Sequence, residues 1–279
     1  MTQTSTQLTG IPRTMLMTTR ARAEEHQRPD ALFRDPKVAE WFKVLPWDTE
    51  LDRLYTPLAQ LSWAMRAHLF DQIAQRHIAT HSDAVVVELG SGLSTRFYRV
   101  GQACQCWIEL DLPEVTSLRL QLDMETEQHR FISHSALDFQ WLNELPICPP
   151  ENLLIIAEGL LMYFEITQVQ QLTHQLRQRF PGATFAFDAV GGSSKGKGAK
   201  QLAQLGAPLK WFIKNEHDVT ALGLSLLQTR SLVQENCRYR DRIGFFRWIP
   251  WLAKLPGLRN ASLILETKLN PLDAVGKRT

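Results

Sequence analysis

Four carboxylates stand at or just after the ends of apolar, strand-like runs: Glu88 in VVVELGSG, Asp111 in CWIELDLP, Asp138 in SALDF and Glu158 in LLIIAEGL. An acid at the end of such a run is costly to bury unless something pairs with it. In an open α/β sheet the ends of the strands are also where a ligand would lie. Gly90 and Gly92 flank Ser91 after the first run, which permits a tight turn and lets a ligand rest on bare backbone. A dinucleotide fingerprint would want a third glycine at position 95, where Thr95 stands. Glu88, just before the turn, suits a cationic amino group or ordered water better than a diphosphate. The ammonium and sulfonium of S-adenosylmethionine meet that requirement.

Asp111, followed by Leu112, lies 21 residues past Gly90, the place from which a carboxylate can accept both hydroxyls of a ribose. NAD and S-adenosylmethionine both carry such a ribose, so this residue does not separate them. Glu109 shares its face at period two. Asp138 can accept from an adenine amine, with Leu137 against the ring, or can equally serve as an ordinary helix N-cap. Glu158 and Gly159 close the most apolar run, and Tyr163 beyond them reaches either a substrate or the core. His134, His217 and Asp188 are the candidates for a general base, and none belongs to a recognisable catalytic triplet.

Strands and helices that alternate must position these residues. Apolar runs at 84–89, 105–111, 129–135, 152–159 and 183–190 read as buried parallel strands, with two more near 226–232 and 262–269. Helical stretches such as 166–180 lie between them, so the expected architecture is α/β, a doubly wound, mostly parallel seven-stranded sheet. The stretches RAEEHQRPDALF, DPKVAEWF and LSWAMRAHLFDQIAQRH read as helices of an N-terminal cap over 1–83, part of the same domain as the core at 84–279. Lid insertions are expected at about 191–225 and 236–260. GGSSKGKG at 191–198 reads either as a closing lid or as plain surface. The Trp- and Pro-rich run at 245–258 reads as lid or core.

The chain has 279 residues, 44% of them apolar, and a net charge of +2, which leaves no electrostatic footprint for nucleic acid or an anionic membrane. No signal-like or membrane-spanning apolar run is visible. The four cysteines, at 104, 106, 148 and 237, lack the spacing of a zinc site and read as reduced thiols of a cytoplasmic protein.

The segments VVELGSGLSTRFYRV, ELDLPEV and AEGLLMYF, in this order, resemble the family of leucine carboxyl methyltransferases and polyketide O-methyltransferases. RARAEEHQRPDALFRDPKVAEW and MRAHLFDQI resemble its N-terminal helices. Ser94 departs from the aspartate usual in the first motif, but serine can also cap. The resemblance implies a class I, Rossmann-like methyltransferase fold with S-adenosylmethionine as cofactor. It makes Arg66 the residue that holds the cofactor carboxylate, and Glu88, Gly90, Ser91, Gly92, Asp111, Leu112, Leu137, Asp138, Glu158 and Gly159 the rest of the cofactor site, with no metal. The expected activity is O-methylation of a carboxyl or hydroxyl group on a small, polyketide-like molecule, by a monomer or homodimer. Methylation of a protein C-terminus or a modified tRNA base is the alternative, and a nicotinamide-dependent oxidoreductase a more distant one. Since no residue triplet reads as a base, an acceptor that arrives ionised, a carboxylate, fits best.

Overall fold

In the computed structural model, which describes residues 8–243 and 255–272, the apolar runs become strands β1 (Val85–Leu89), β2 (Cys106–Asp111), β3 (His129–Ser133), β4 (Leu153–Ala157), β5 (Thr184–Val190), β6 (Leu224–Ser231) and β7 (Ser262–Leu269). They form one sheet in the order β3-β2-β1-β4-β5-β7-β6. The first five are parallel, and β7 runs antiparallel between β5 and β6. Among the described residues the α-helices are α1 (Gly10–Arg13), α2 (Met15–Gln27), α3 (Pro36–Phe42), α4 (Pro57–Thr80), α5 (Pro113–Leu122), α6 (Ile166–Arg179), α7 (Lys197–Gln204), α8 (Leu232–Asn236) and α9 (Pro256–Arg259). Among the described residues no helix is long and apolar enough to cross a membrane.

Period two sorts the strand residues between two cores. Val85, Val87, Ile155 and Phe185 face Val169, Leu172 and Leu176 of α6. Val86, Leu154, Ile156 and Ala186 face Met65, Leu69, Phe70 and Ile73 of α4. Glu88 and Asp188 keep the even register, so both acids fall on the α4 side, the side that carries Arg66 and Asp71. Leaving β1, the chain builds outward through β2 and β3, then returns to the other flank of β1 with β4. This reversal makes the crevice at the carboxyl ends of β1 and β4 the topological switch point.

Three local features refine this picture. The helix expected across 22–33 begins earlier and stops at Gln27, because Pro29 cannot continue it, while Asp35 caps α3 by accepting from Val38 N at 3.0 Å. After the glycine turn the chain forms a short π turn, Phe97–Gly101; its Arg99 and the Arg96 just before it both pair with the buried Asp71. The GGSSKGKG stretch is partly ordered. It holds a 3-10 turn at Gly192–Ser194, whose serine hydroxyls donate to the carbonyls of Gly257 (2.6 Å) and Ala261 (2.7 Å). Of the run at 245–258, residues 245–254 lie outside the described residues.

Candidate active site

The glycine turn is held from within. Gly90 N and Ser91 N both donate to Leu110 O, at 2.8 and 3.1 Å, and Ser94 N donates to Ser91 O at 2.9 Å. Gly92 N donates to Asp111 Oδ2 at 2.6 Å. Gly90 and Gly92 take φ of +62° and +55°, and a Cβ on Gly90 would stand 2.8 Å from Leu160 Cδ1, so glycine is required there. With these amides committed, the turn does not offer the row of free N–H groups by which a phosphate is cradled. Asp111 also accepts from Leu112 N at 2.7 Å. Burial raises its pKa to about 6 against the pull of those two N–H groups, so it is an acid poised to gain from further donors.

Behind the turn lies a buried chain of charge. Arg66 Nε donates to Glu158 Oε1 and its Nη1 to Asp188 Oδ2, each at 3.0 Å. Arg96 donates to Asp71 (2.8 Å), Glu88 (2.7 Å) and Glu158. Arg99 pairs with Asp71 at 2.6 Å and Asp35 at 2.5 Å. Arg22, from α2, reaches Thr95 Oγ1 and Leu93 O, both at 2.8 Å. Burial would raise Glu158, but Arg96 and Arg66 reverse this and hold it at about 2. Burial raises Glu88 and Asp188 against Arg96 and Arg66 respectively. Arg66 stays charged because Asp188 and Glu158 outweigh its burial. Four guanidiniums (Arg22, Arg66, Arg96, Arg99) thus meet five carboxyl groups (Asp35, Asp71, Glu88, Glu158, Asp188). Among the described residues Arg66 Nη2 has no hydrogen-bond partner. It lies against Gly159, where a Cβ would stand 2.9 Å from it and φ is +67°.

A cavity of about 770 Å³ joins these parts. Of the residues singled out in the sequence, Arg66, Glu88, Gly90, Ser91, Gly92, Asp111, Leu112, Glu158 and Gly159 all line it. Leu137 and Asp138 are not on its wall. Asp138 is committed elsewhere, accepting from Gln140 N at 3.3 Å and lying 3.0 Å from His134 Nδ1, while His134, Ser135 and Ala136 line the cavity in its place. The other end is built from residues that sequence reasoning did not single out. Ile11, Thr14 and Met15 come from the N-terminal segment, Trp63 from α4, and Leu202 and Leu209 from α7 and beyond it.

Tyr163 lines the cavity, and burial raises its pKa, so its hydroxyl is a donor and not a base. His134 lies between Asp138 and Glu144, and Asp188 already accepts from Arg66 and from Gly159 N at 2.6 Å. His217 is exposed and absent from the wall. Ser94 donates to Glu88 at 3.2 Å and accepts from Arg96 N at 3.3 Å, so it fills a capping role after the turn. Glu109 is buried against Arg119 of α5 and faces no ligand space.

The family profile of leucine carboxyl methyltransferases matches residues 15–177. The tetracenomycin polyketide synthesis O-methyltransferase TcmP of Streptomyces glaucescens is 32% identical over 184 residues, 66% of this chain and 67% of that one. An S-adenosyl-L-methionine-dependent methyltransferase, dpfgK, of Gibberella zeae is 23% identical over 266 residues, 87% of this chain and 88% of its own. Among solved structures, a DUF574 family protein from Streptomyces avermitilis superposes with a TM-score of 0.56 at 13% identity, over 91% of this chain and 97% of that one, which shows the shared fold. The motifs at Glu88–Gly92, Glu109–Val115 and Glu158–Tyr163 fall within the stretch matched by the profile, and they supply much of the cavity's wall. The chain belongs to the leucine carboxyl methyltransferase family and is an S-adenosylmethionine-dependent methyltransferase.

Proposed function

We propose that this methyltransferase esterifies a carboxylate on a small, apolar, polyketide-like molecule. The observation that carries the reading is the cavity itself: one end polar and ionic, the other apolar, and no uncommitted base among the described residues of its wall. A hydroxyl acceptor would have to lose its proton there, whereas a carboxylate arrives without one. The name of the Streptomyces glaucescens relative supports an acceptor of polyketide type.

The residues fit the cofactor. Asp111 spends one interaction per oxygen on backbone amides, which leaves each oxygen lone pairs for two ribose hydroxyls. Arg66 keeps Nη2 for a carboxylate. The surplus acid among Glu88, Glu158 and Asp188 suits a ligand with a net positive charge. S-adenosylmethionine supplies, when bound, a methyl group on a sulfonium that accepts an electron pair from the acceptor oxygen. The chain's task is to align the acceptor and keep water out. Tyr163 donates to the acceptor from the 3-10 turn at Leu161–Tyr163. Ile11, Met15, Trp63, Leu202 and Leu209 wall the reaction off, with 8–83 and the stretch at 191–225 acting as cap and lid of one domain.

The test is incubation with methyl-labelled S-adenosylmethionine and a panel of polycyclic aromatic carboxylic acids beside matched phenols. The acids should take label that mild alkali releases as methanol. Label confined to the phenols and stable to alkali would overturn the carboxylate reading.

A further inference from the structure

A second buried ionic group lies behind the glycine turn, beside the first: Glu109 on β2 is the in-register neighbour of Glu88 on β1. Arg119, on α5 and 2% exposed, places Nη2 2.9 Å from both Gly92 O and Ser94 O. The same nitrogen stands 2.5 Å from Glu109 Oε2, yet that oxygen is without a hydrogen-bond partner. The two protons of Nη2 are therefore spent on the two carbonyls, and Glu109 contributes charge alone. Glu109 is held in turn by His129, whose Nε2 lies 2.9 Å from Oε1. The guanidinium carbon sits 5.5 Å from the ring centre of Trp41 and 5.2 Å from that of Phe131, which fixes its position.

Gly92 is thus gripped at both ends. Its N–H is given to Asp111, and its carbonyl is turned back toward Arg119. Released, that carbonyl would be free to rotate toward the cavity. It would then repel a ligand's oxygens and disturb the N–H that orients Asp111.

We infer that Arg119 is a positioning residue for cofactor binding: it locks the Gly90–Gly92 turn from behind, with Glu109 and His129 holding it in place. This rests on the assignment of the turn and Asp111 to the cofactor. Arg119→Met alone would strand the Glu109 charge, so the informative variant is Arg119→Met with Glu109→Gln, an apolar side chain of similar length beside a neutral amide. Binding of S-adenosylhomocysteine by calorimetry should weaken at least tenfold. Adding Asp111→Asn should then cost clearly less than it does in the wild type, because both changes act through Gly92. A purely structural role would lower the melting temperature and leave the two effects on affinity additive. Affinity within twofold of wild type, or strict additivity, would overturn the inference while the cofactor site stood. A wild type that bound no S-adenosylhomocysteine would overturn both. Arg119→Lys, which can serve one carbonyl and keeps the charge, gives the same decision if the paired variant does not fold: an intermediate loss supports the lock, and unchanged affinity refutes it.

Discussion

Lowering the pH from 7 to 5 should weaken S-adenosylhomocysteine binding about tenfold, and Asp111 should account for most of the loss. Its carboxyl accepts from Gly92 N and Leu112 N yet is raised to about 6, because burial outweighs the two hydrogen bonds. A ribose diol offers donors and so binds the carboxylate form. With that pKa the carboxylate makes up about nine-tenths of the free protein at pH 7 and about one-tenth at pH 5, a ratio of about ten. The sign for folding is opposite. A carboxyl raised from about 3.9 in the unfolded chain holds its proton longer when folded. Its contribution to stability therefore improves as pH falls from about 6 to 4, while ligand affinity declines. Calorimetry at pH 5, 6 and 7 and constant ionic strength separates the two. Asp111→Asn should bind more weakly at pH 7 by about 1.5–3 kcal/mol, the scale of a charge-assisted hydrogen bond, and should lose most of the pH slope. Glu88, also raised by burial, is present in both proteins, so the difference between them isolates Asp111. A slope that persists unchanged in Asp111→Asn would refute the assignment.

Arg66→Ala should weaken S-adenosylmethionine far more than 5′-methylthioadenosine, which lacks the carboxylate; equal losses would remove Arg66 from the site. Glu158→Gln should destabilise the free protein by about 3–5 kcal/mol, the cost of breaking a buried ion pair, read as a lower midpoint in urea. The wild-type contribution of Glu158, held at about 2, is complete above the unfolded pKa near 4.3 and is lost as pH falls toward 2. S-adenosylhomocysteine should raise the melting temperature where NADH does not, and equal stabilisation would contradict a turn whose amides are already committed. Limited proteolysis at 195–200 should slow when cofactor is bound if that stretch closes as a lid, and no change would leave it as surface.

The strands and their acids were legible because an acid at the end of an apolar run is conspicuous and because period two assigns faces without knowledge of neighbours. That is how Glu88, Asp111 and Glu158, all on the cavity wall, were singled out. Facing alone does not name a partner, and Glu109, on the expected face, turned out to serve Arg119. Asp138 had two readings, and the local one holds: it caps a 3-10 turn and meets His134. Arg22 and Asp35 were illegible since they reach the site only through tertiary packing, 73 and 60 residues from Thr95. The missing third glycine said more than it first seemed to. Thr95 is fully buried, donates to Asp35 at 2.5 Å and accepts from Arg22 and Arg99 at 2.8 Å each. A dinucleotide turn needs glycine at this place so that helix and strand can pack closely. Here a hydroxyl fills it and ties the N-terminal helices to the turn. The departure from the fingerprint is thus a positive feature of this fold, joining the N-terminal helices to the glycine turn.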